Sequence, residues 1–136
     1  MKKLFKILLI MATLHAMGSC EKMETNGDFA GMWQLTEWKD LSDSRIVADK
    51  YSKIFYCVQL DLMDFRSNDS YLARFRRTAD SLFIGTVYHG AGDNIVSIEE
   101  LAKFGVPADG KFAIDRLNKQ ALVLRSDDAL LTFRKL

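Results

Sequence analysis

Few side chains in this sequence can do chemistry, and their spacing limits what they do. His15 and His89 are the histidines, Cys20 and Cys57 the cysteines. A zinc site draws on several His or Cys ligands held together. His89 and Cys57 fall in separate β-like runs, so no metal is expected. No serine stands in a nucleophile motif that His89 could serve. His89 therefore reads as a strand-end residue, and Cys57 as a small core or half-buried one. Asp61 and Asp64 are three apart, which in a strand points them to opposite faces, so they make no glycosidase pair. "HGAGDN", from His89 to Asn94, has two glycines but neither the spacing nor the lysine of a phosphate loop. It reads as a turn. No catalytic set and no cofactor site follow from these residues, and an enzyme is not expected.

Binding chemistry is better represented. Arg74, Arg76 and Arg77 are the densest charge cluster, and Arg74 and Arg76 share a strand face. Facing inward they would hold an acidic head group; facing outward they form a wet surface. Tyr56, Phe75 and Tyr88 recur at period two and either line a cavity or fill a core. Tyr56, Arg74, Phe75, Arg76 and Tyr88 are thus the candidate contacts for a small apolar or amphipathic ligand.

Cys20 has a different context. "MKKLFKILLIMATLHAMGSC" runs from Lys2, Lys3 and Lys6 through an apolar stretch, Ile7 to Met17, to the small residues Gly18 and Ser19. Positive, apolar, small is the layout of a secretory signal. The apolar stretch is shorter than the roughly 20 residues of a membrane span. Met17-Gly18-Ser19-Cys20 resembles the lipobox of bacterial lipoproteins, in which the cysteine becomes the lipidated first residue. The resemblance implies acyl chains on Cys20, and hence no disulfide with Cys57. Each buried CH2 adds roughly 0.8 kcal/mol and two or more chains hold firmly. The expected products are a signal at residues 1–19, a tether at 20–27 and a domain at 28–136. Loss of Lys2, Lys3 and Lys6 leaves 16 basic against 18 acidic residues, a net of −2. That balance excludes a typical nucleic-acid binder. The expected location is the bacterial envelope, anchored to a membrane and with the outer membrane favoured.

The elements that must position these residues are mainly strands. "GMWQLTEW" places Trp33 and Leu35 on one side. "YSKIFYCVQLDLMDF" reads as one strand with Ile54, Tyr56, Val58, Leu60 and Leu62 on a common face, and Met63 on the other. "YLARFRR" sets Tyr71, Ala73 and Phe75 against Leu72, Arg74 and Arg76. "LFIGTVYH" sets Leu82, Ile84, Thr86 and Tyr88 together. "SIEELAKFGVP" changes period: Ser97 and Glu100 form a capping-box pattern, and Gly105 and Pro107 stop the helix. "KFAIDRL", "QALVLRS" and "ALLTFRKL" are joined by the tight connections "NK" and "DD", which force antiparallel neighbours. Seven to eight strands with one short helix fit a small all-β antiparallel barrel, whose closure removes sheet edges.

Gly31-Met32-Trp33 on the first strand resembles the Gly-x-Trp of the lipocalin and calycin superfamily. That resemblance implies that Gly31 and Trp33 close the barrel floor, with Arg134 from the last strand packed on the Trp33 ring. With the lipobox, "LAKFGVP" and the terminal "ALVLRSDDALLTFRKL", residues 28–136 resemble the lipocalin-like lipoproteins of unknown function from Bacteroides-type bacteria. The resemblance implies an up-and-down barrel that takes a small apolar or amphipathic ligand. The chain is shorter than ligand-carrying lipocalins, which implies shallow walls. The alternative function is a non-catalytic interaction or accessory module of the envelope that works through its outer surface.

Overall fold

The computed structural model describes residues 26–90 and 92–136. The expected signal, Cys20 and the tether as far as residue 25 lie outside the described residues.

Among the described residues nine strands form one antiparallel sheet: β1 Gly31–Asp40, β2 Ile46–Asp49, β3 Phe55–Gln59, β4 Leu62–Arg66, β5 Ser70–Arg77, β6 Ser81–His89, β7 Lys111–Leu117, β8 Ala121–Arg125 and β9 Ala129–Lys135. β3 to β9 follow one another round the sheet, and β9 returns to β1 from Trp33↔Lys135 to Asp40↔Ala129. Eight strands thus close the barrel that the alternating pattern predicts. β2 is extra. It pairs with β1 over Glu37–Lys39, while β3 pairs with β1 over Gly31–Gln34. β2 has a weak sequence trace, the β-branched pair Ile46-Val47 after a Ser-Asp-Ser turn.

Two expected registers are corrected. "YSKIFYCVQLDLMDF" is a hairpin, not one strand. Gln59 pairs with Leu62, so Leu60 and Asp61 form the turn, and Leu60 takes φ +54°. Beyond it Met63 and Phe65 are buried, whereas Leu60, expected inward, is 51% exposed. The turn is hard to read because an apolar residue, not Gly or Asn, occupies its left-handed position. In β6 the pairing jumps from Phe75↔Ile84 to Ala73↔Val87, which inserts one extra residue. Val87 turns inward; Thr86 and Tyr88, expected to share a face with Leu82 and Ile84, turn outward. Gly85 marks this bulge, as an interior strand glycine often does.

The interior is one cluster of apolar side chains, centred on Trp33, Leu35, Tyr56, Phe65, Leu82, Leu124 and Phe133. At the floor, Phe29 lies in a 3-10 turn, Gly27–Phe29, and its carbonyl accepts from Trp33 Nε1 at 2.8 Å. Asn26 Nδ2 donates to the Leu60 carbonyl at 2.6 Å. Asn26, read from sequence as part of the tether that ends at Gly27, is therefore buried against the barrel, while Gly27 is exposed.

The β6–β7 ladder is short and lies in the floor half, Ser81, Leu82 and Phe83 pairing with Ala113, Phe112 and Lys111, and it stops before the opposite end, the mouth. Above it the strands part, and the chain between them crosses the open end. It carries helix α1, Ile98–Ala102, with both halves of the Ser97/Glu100 capping box present. Among the described residues no helix is long and apolar enough to cross a membrane.

Candidate functional site

The barrel mouth gathers the groups best suited to bind something. β1 runs up to it with Trp38 and Asp40, and β2 adds Val47. α1 contributes Ile98 and Ala102, and β9 begins there with Ala129. The Gly105–Ala108 segment forms the floor of a cleft of about 320 Å3 between these elements. Its walls are apolar: Val47 and Ile98 are 41% and 58% exposed, and Val106 and Ala129 are buried. Its rim is charged. Arg45 reaches Asp40 at 3.9 Å and Asp43 at 3.6 Å. Ser42 donates to the Asp40 carboxylate through both its N–H, at 2.8 Å, and its hydroxyl, at 2.6 Å. These bonds hold the Asp40 carboxyl below its ordinary range, so it is ionised at neutral pH.

Beneath the cleft the segment after α1 fills the mouth. Phe104 packs against Phe65 and Tyr71, with ring centroids 6.1 Å and 5.3 Å apart. Its carbonyl accepts from Tyr56 Oη at 2.5 Å. A Cβ on Gly105 would lie 2.9 Å from the Leu131 side chain, so only a glycine lets the segment approach β9 this closely. Val96 and Val106 are buried on either side of the helix. Among the described residues every buried side-chain nitrogen or oxygen has a partner.

The sequence-predicted ligand contacts do not converge. Tyr56 is fully buried, against Phe65 and Phe133. Phe75 is buried nearer the floor, edge-on to Phe29 at 5.4 Å. Arg74, Arg76 and Tyr88 are on the outer surface. Arg74 pairs with Asp61, and Arg76 lies over the Phe83 ring at 5.1 Å. Tyr88 and Arg74 line an outer cleft of about 530 Å3 with Leu62, Leu72 and Thr86. A strand separates inside from outside by residue parity. Arg74 and Arg76 therefore face away from Phe75, and the β6 bulge moves Tyr88 outward.

The floor also differs in one residue. Trp33 is fully buried, and the cation over its ring is Lys135, at 4.9 Å, not Arg134. Arg134 faces out and donates to Gln34 Oε1 at 2.7 Å. Gly31, at φ +123°, leaves room for the Lys135 stem, which would lie 3.5 Å from a Cβ there. Lys135 Nζ also donates to the Asp28 carbonyl at 2.6 Å. Arg77 lies over Phe29 at 5.3 Å.

His89 Nε2 sits 3.4 Å from Glu100 Oε2, and its ring meets the Tyr71 edge at 5.1 Å. Cys57 is half-buried, and burial, ahead of the opposing effect of Arg66, pushes its thiol up. Among the described residues no three His, Cys, Asp or Glu side chains are placed to hold a metal ion. Sequence reasoning missed Trp38, Val47 and Phe104 as mouth residues. A signal for Phe104 existed: the short helix ends on an aromatic that its own few residues cannot bury.

Residues 13–136 match the model of the lipocalin-like domain family. No curated protein matches the chain. Among solved structures, a lipocalin-like protein from Bacteroides uniformis is similar with TM-score 0.60 and 20% identity, covering 80% of this chain and 99% of its own. An uncharacterized protein from Bacteroides eggerthii is similar with TM-score 0.57 and 21% identity, over 79% of this chain and 98% of its own. A protein from Burkholderia xenovorans gives TM-score 0.55 and 18% identity, over 78% of this chain and 81% of its own.

Proposed function

Since the chain belongs to the lipocalin-like domain family, we propose that it is a non-catalytic binding protein of the bacterial envelope, held through a lipidated Cys20 and taking a small apolar or amphipathic molecule at its mouth. The barrel fold is compatible with ligand binding. The observation that carries the reading is the mouth cleft, with apolar walls from Trp38, Val47, Ile98 and Val106 and a charged rim from Asp40, Arg45 and Asp128. An apolar body gains by leaving water, and a polar end stays in contact with the rim.

The anchor rests on the lipobox, and the fold sets what it would do. Asn26 lies at the floor, bonded to the Leu60 carbonyl. It lies six positions after Cys20, a reach of at most about 22 Å. A lipid on Cys20 would keep the floor near the bilayer, and the mouth, at the other end of the barrel, would open away from it.

A thermal-shift screen of fatty acids, alcohols and retinoid-like compounds tests the binding. A ligand at 100 times its Kd stabilises the folded chain by about 2.7 kcal/mol. The expected result is a raised melting temperature for some of these compounds, lost in Val47→Asp and Ile98→Asp. A screen with no shift, or a shift indifferent to both substitutions, counts against the mouth as the site. Palmitate incorporation in cells, present in the natural chain and absent in Cys20→Ala, is the expected result for the anchor; equal labelling of both would refute it.

A further inference from the structure

The mouth is filled by the chain's own Phe104, and the way it is filled describes a ligand. Tyr56 Oη, deep among Phe65, Phe133 and Phe104, donates to one acceptor, the Phe104 backbone carbonyl. The Phe104 ring occupies the apolar space beside that bond, between Phe65 and Tyr71. A carbonyl next to an apolar group is therefore what the chamber holds now. We propose that the Phe104–Val106 strap is a built-in surrogate, and that the chamber's ligand is a small apolar molecule with a single uncharged carbonyl, a ketone, aldehyde or ester. It displaces the Phe104 ring and takes over the hydrogen bond from Tyr56.

The strap is built to leave. Phe104 and Val106 donate their N–H groups to the Leu101 carbonyl, and Gly105 donates to Ala102. These bonds close between the strap and the end of α1, and they survive a displacement in which the two move together. With α1 the strap is tied to the barrel by the Tyr56 bond, the packing of Phe104, Gly105, the buried Val106 and Leu101, and the exposed His89–Glu100 pair. The short β6–β7 ladder leaves the strands apart where the strap crosses. The cleft directly above it, floored by Gly105 and Val106, gives a ligand its approach.

The chemistry of the donor narrows the class. Burial raises the Tyr56 phenol far above its ordinary value, so it stays protonated and keeps its O–H to donate. A carboxylate would be buried among Phe65 and Phe133, at a large desolvation cost. An alcohol would accept from Tyr56 but leave its own O–H unpaired. A carbonyl meets the donor and brings no further donor.

This inference rests on the ligand-binding reading, and the experiment separates the two. Binding of 2-nonanone and of nonane is measured by titration calorimetry on the full chain, Tyr56→Phe and Phe104→Ala. Loss of one neutral hydrogen bond changes affinity about three- to tenfold. The expected result is that Tyr56→Phe lowers the ratio of ketone to alkane affinity by that factor. Phe104→Ala, which keeps the carbonyl and removes the ring, should tighten both ligands by about tenfold or more, the equivalent of about 1.4 kcal/mol. A ratio unchanged in Tyr56→Phe, or affinities unchanged in Phe104→Ala, overturns the inference while leaving binding intact. No binding to either the natural chain or Phe104→Ala defeats the binding reading itself. If Tyr56→Phe fails to fold, the 13C resonance of carbonyl-labelled 2-nonanone bound to Phe104→Ala decides. A downfield shift from its value in nonane shows the hydrogen bond, and an unshifted resonance refutes it.

Discussion

Lys135 shows how much one position matters when strand parity is strict. Neighbouring residues point to opposite faces, so Arg134 and Lys135 cannot do the same work. Lys135 lays its cation over Trp33 at 4.9 Å, while Arg134 bonds Gln34 on the outer surface. The presence of a basic residue at the end of the last strand was legible in the sequence. The choice between two adjacent ones was not, because it depends on the register with which β9 meets β1, Trp33 opposite Lys135. Lys135→Met keeps an apolar stem and removes the charge; it should cost about 0.5–1 kcal/mol at this exposed site. Arg134→Met should stay within about 0.5 kcal/mol of the natural chain. Urea unfolding of the two variants compares them directly, and a larger loss in Arg134→Met would reverse the assignment.

At the scale of elements, most strands were visible and their interruptions were not. Alternation identified β5, β7, β8 and β9 because one face of each is buried and the other wet. The same alternation ran unbroken through the Leu60-Asp61 turn and through the β6 bulge. In both places the backbone changes direction without a strong turn residue or with only a single glycine. The seam between β6 and β7 is the element-level feature that matters most. There the Ile84 N–H donates to the Gly110 carbonyl at 2.8 Å. Gly110 sits at φ +67°, and a Cβ on it would lie 2.4 Å from the Ile84 carbonyl oxygen, closer than any real contact. Gly110→Ala should therefore lose about 3–5 kcal/mol through left-handed strain and displacement of the β6 edge. A measured loss below about 1 kcal/mol would mean that the seam relaxes freely.

The described residues as a whole form a closed barrel with its interior occupied, and its pH response follows from that. Tyr56 is fully buried, and burial raises its phenol well above the ordinary value. Tyr71 is raised too, by burial first and then by Asp69 and Glu100. A group whose folded pKa is raised releases its proton sooner from the unfolded chain. Stability is therefore unaffected below the ordinary tyrosine pKa of about 10 and falls as pH rises beyond it. For Tyr56 alone the slope approaches about 1.4 kcal/mol per pH unit. Urea midpoints between pH 8 and pH 11.5 should show this decline, and Tyr56→Phe should flatten it. An identical decline in the variant would place the ionising group elsewhere.

The sequence by itself determined the fold class and the chain's antiparallel order. Those depend on local alternation, tight connections and one capping box, all properties of neighbouring residues. It also shows only two histidines and two cysteines. Tertiary structure decided what the candidate residues do. Tyr56 became a buried donor and Phe104 a filling for the mouth, while Arg74, Arg76 and Tyr88 went to the outer wall. Those outcomes depend on barrel closure, on one bulge and on one unmarked turn. Each sets which side of the wall a residue faces and what lies across the interior from it, and neither is fixed by the residues next to it in the chain.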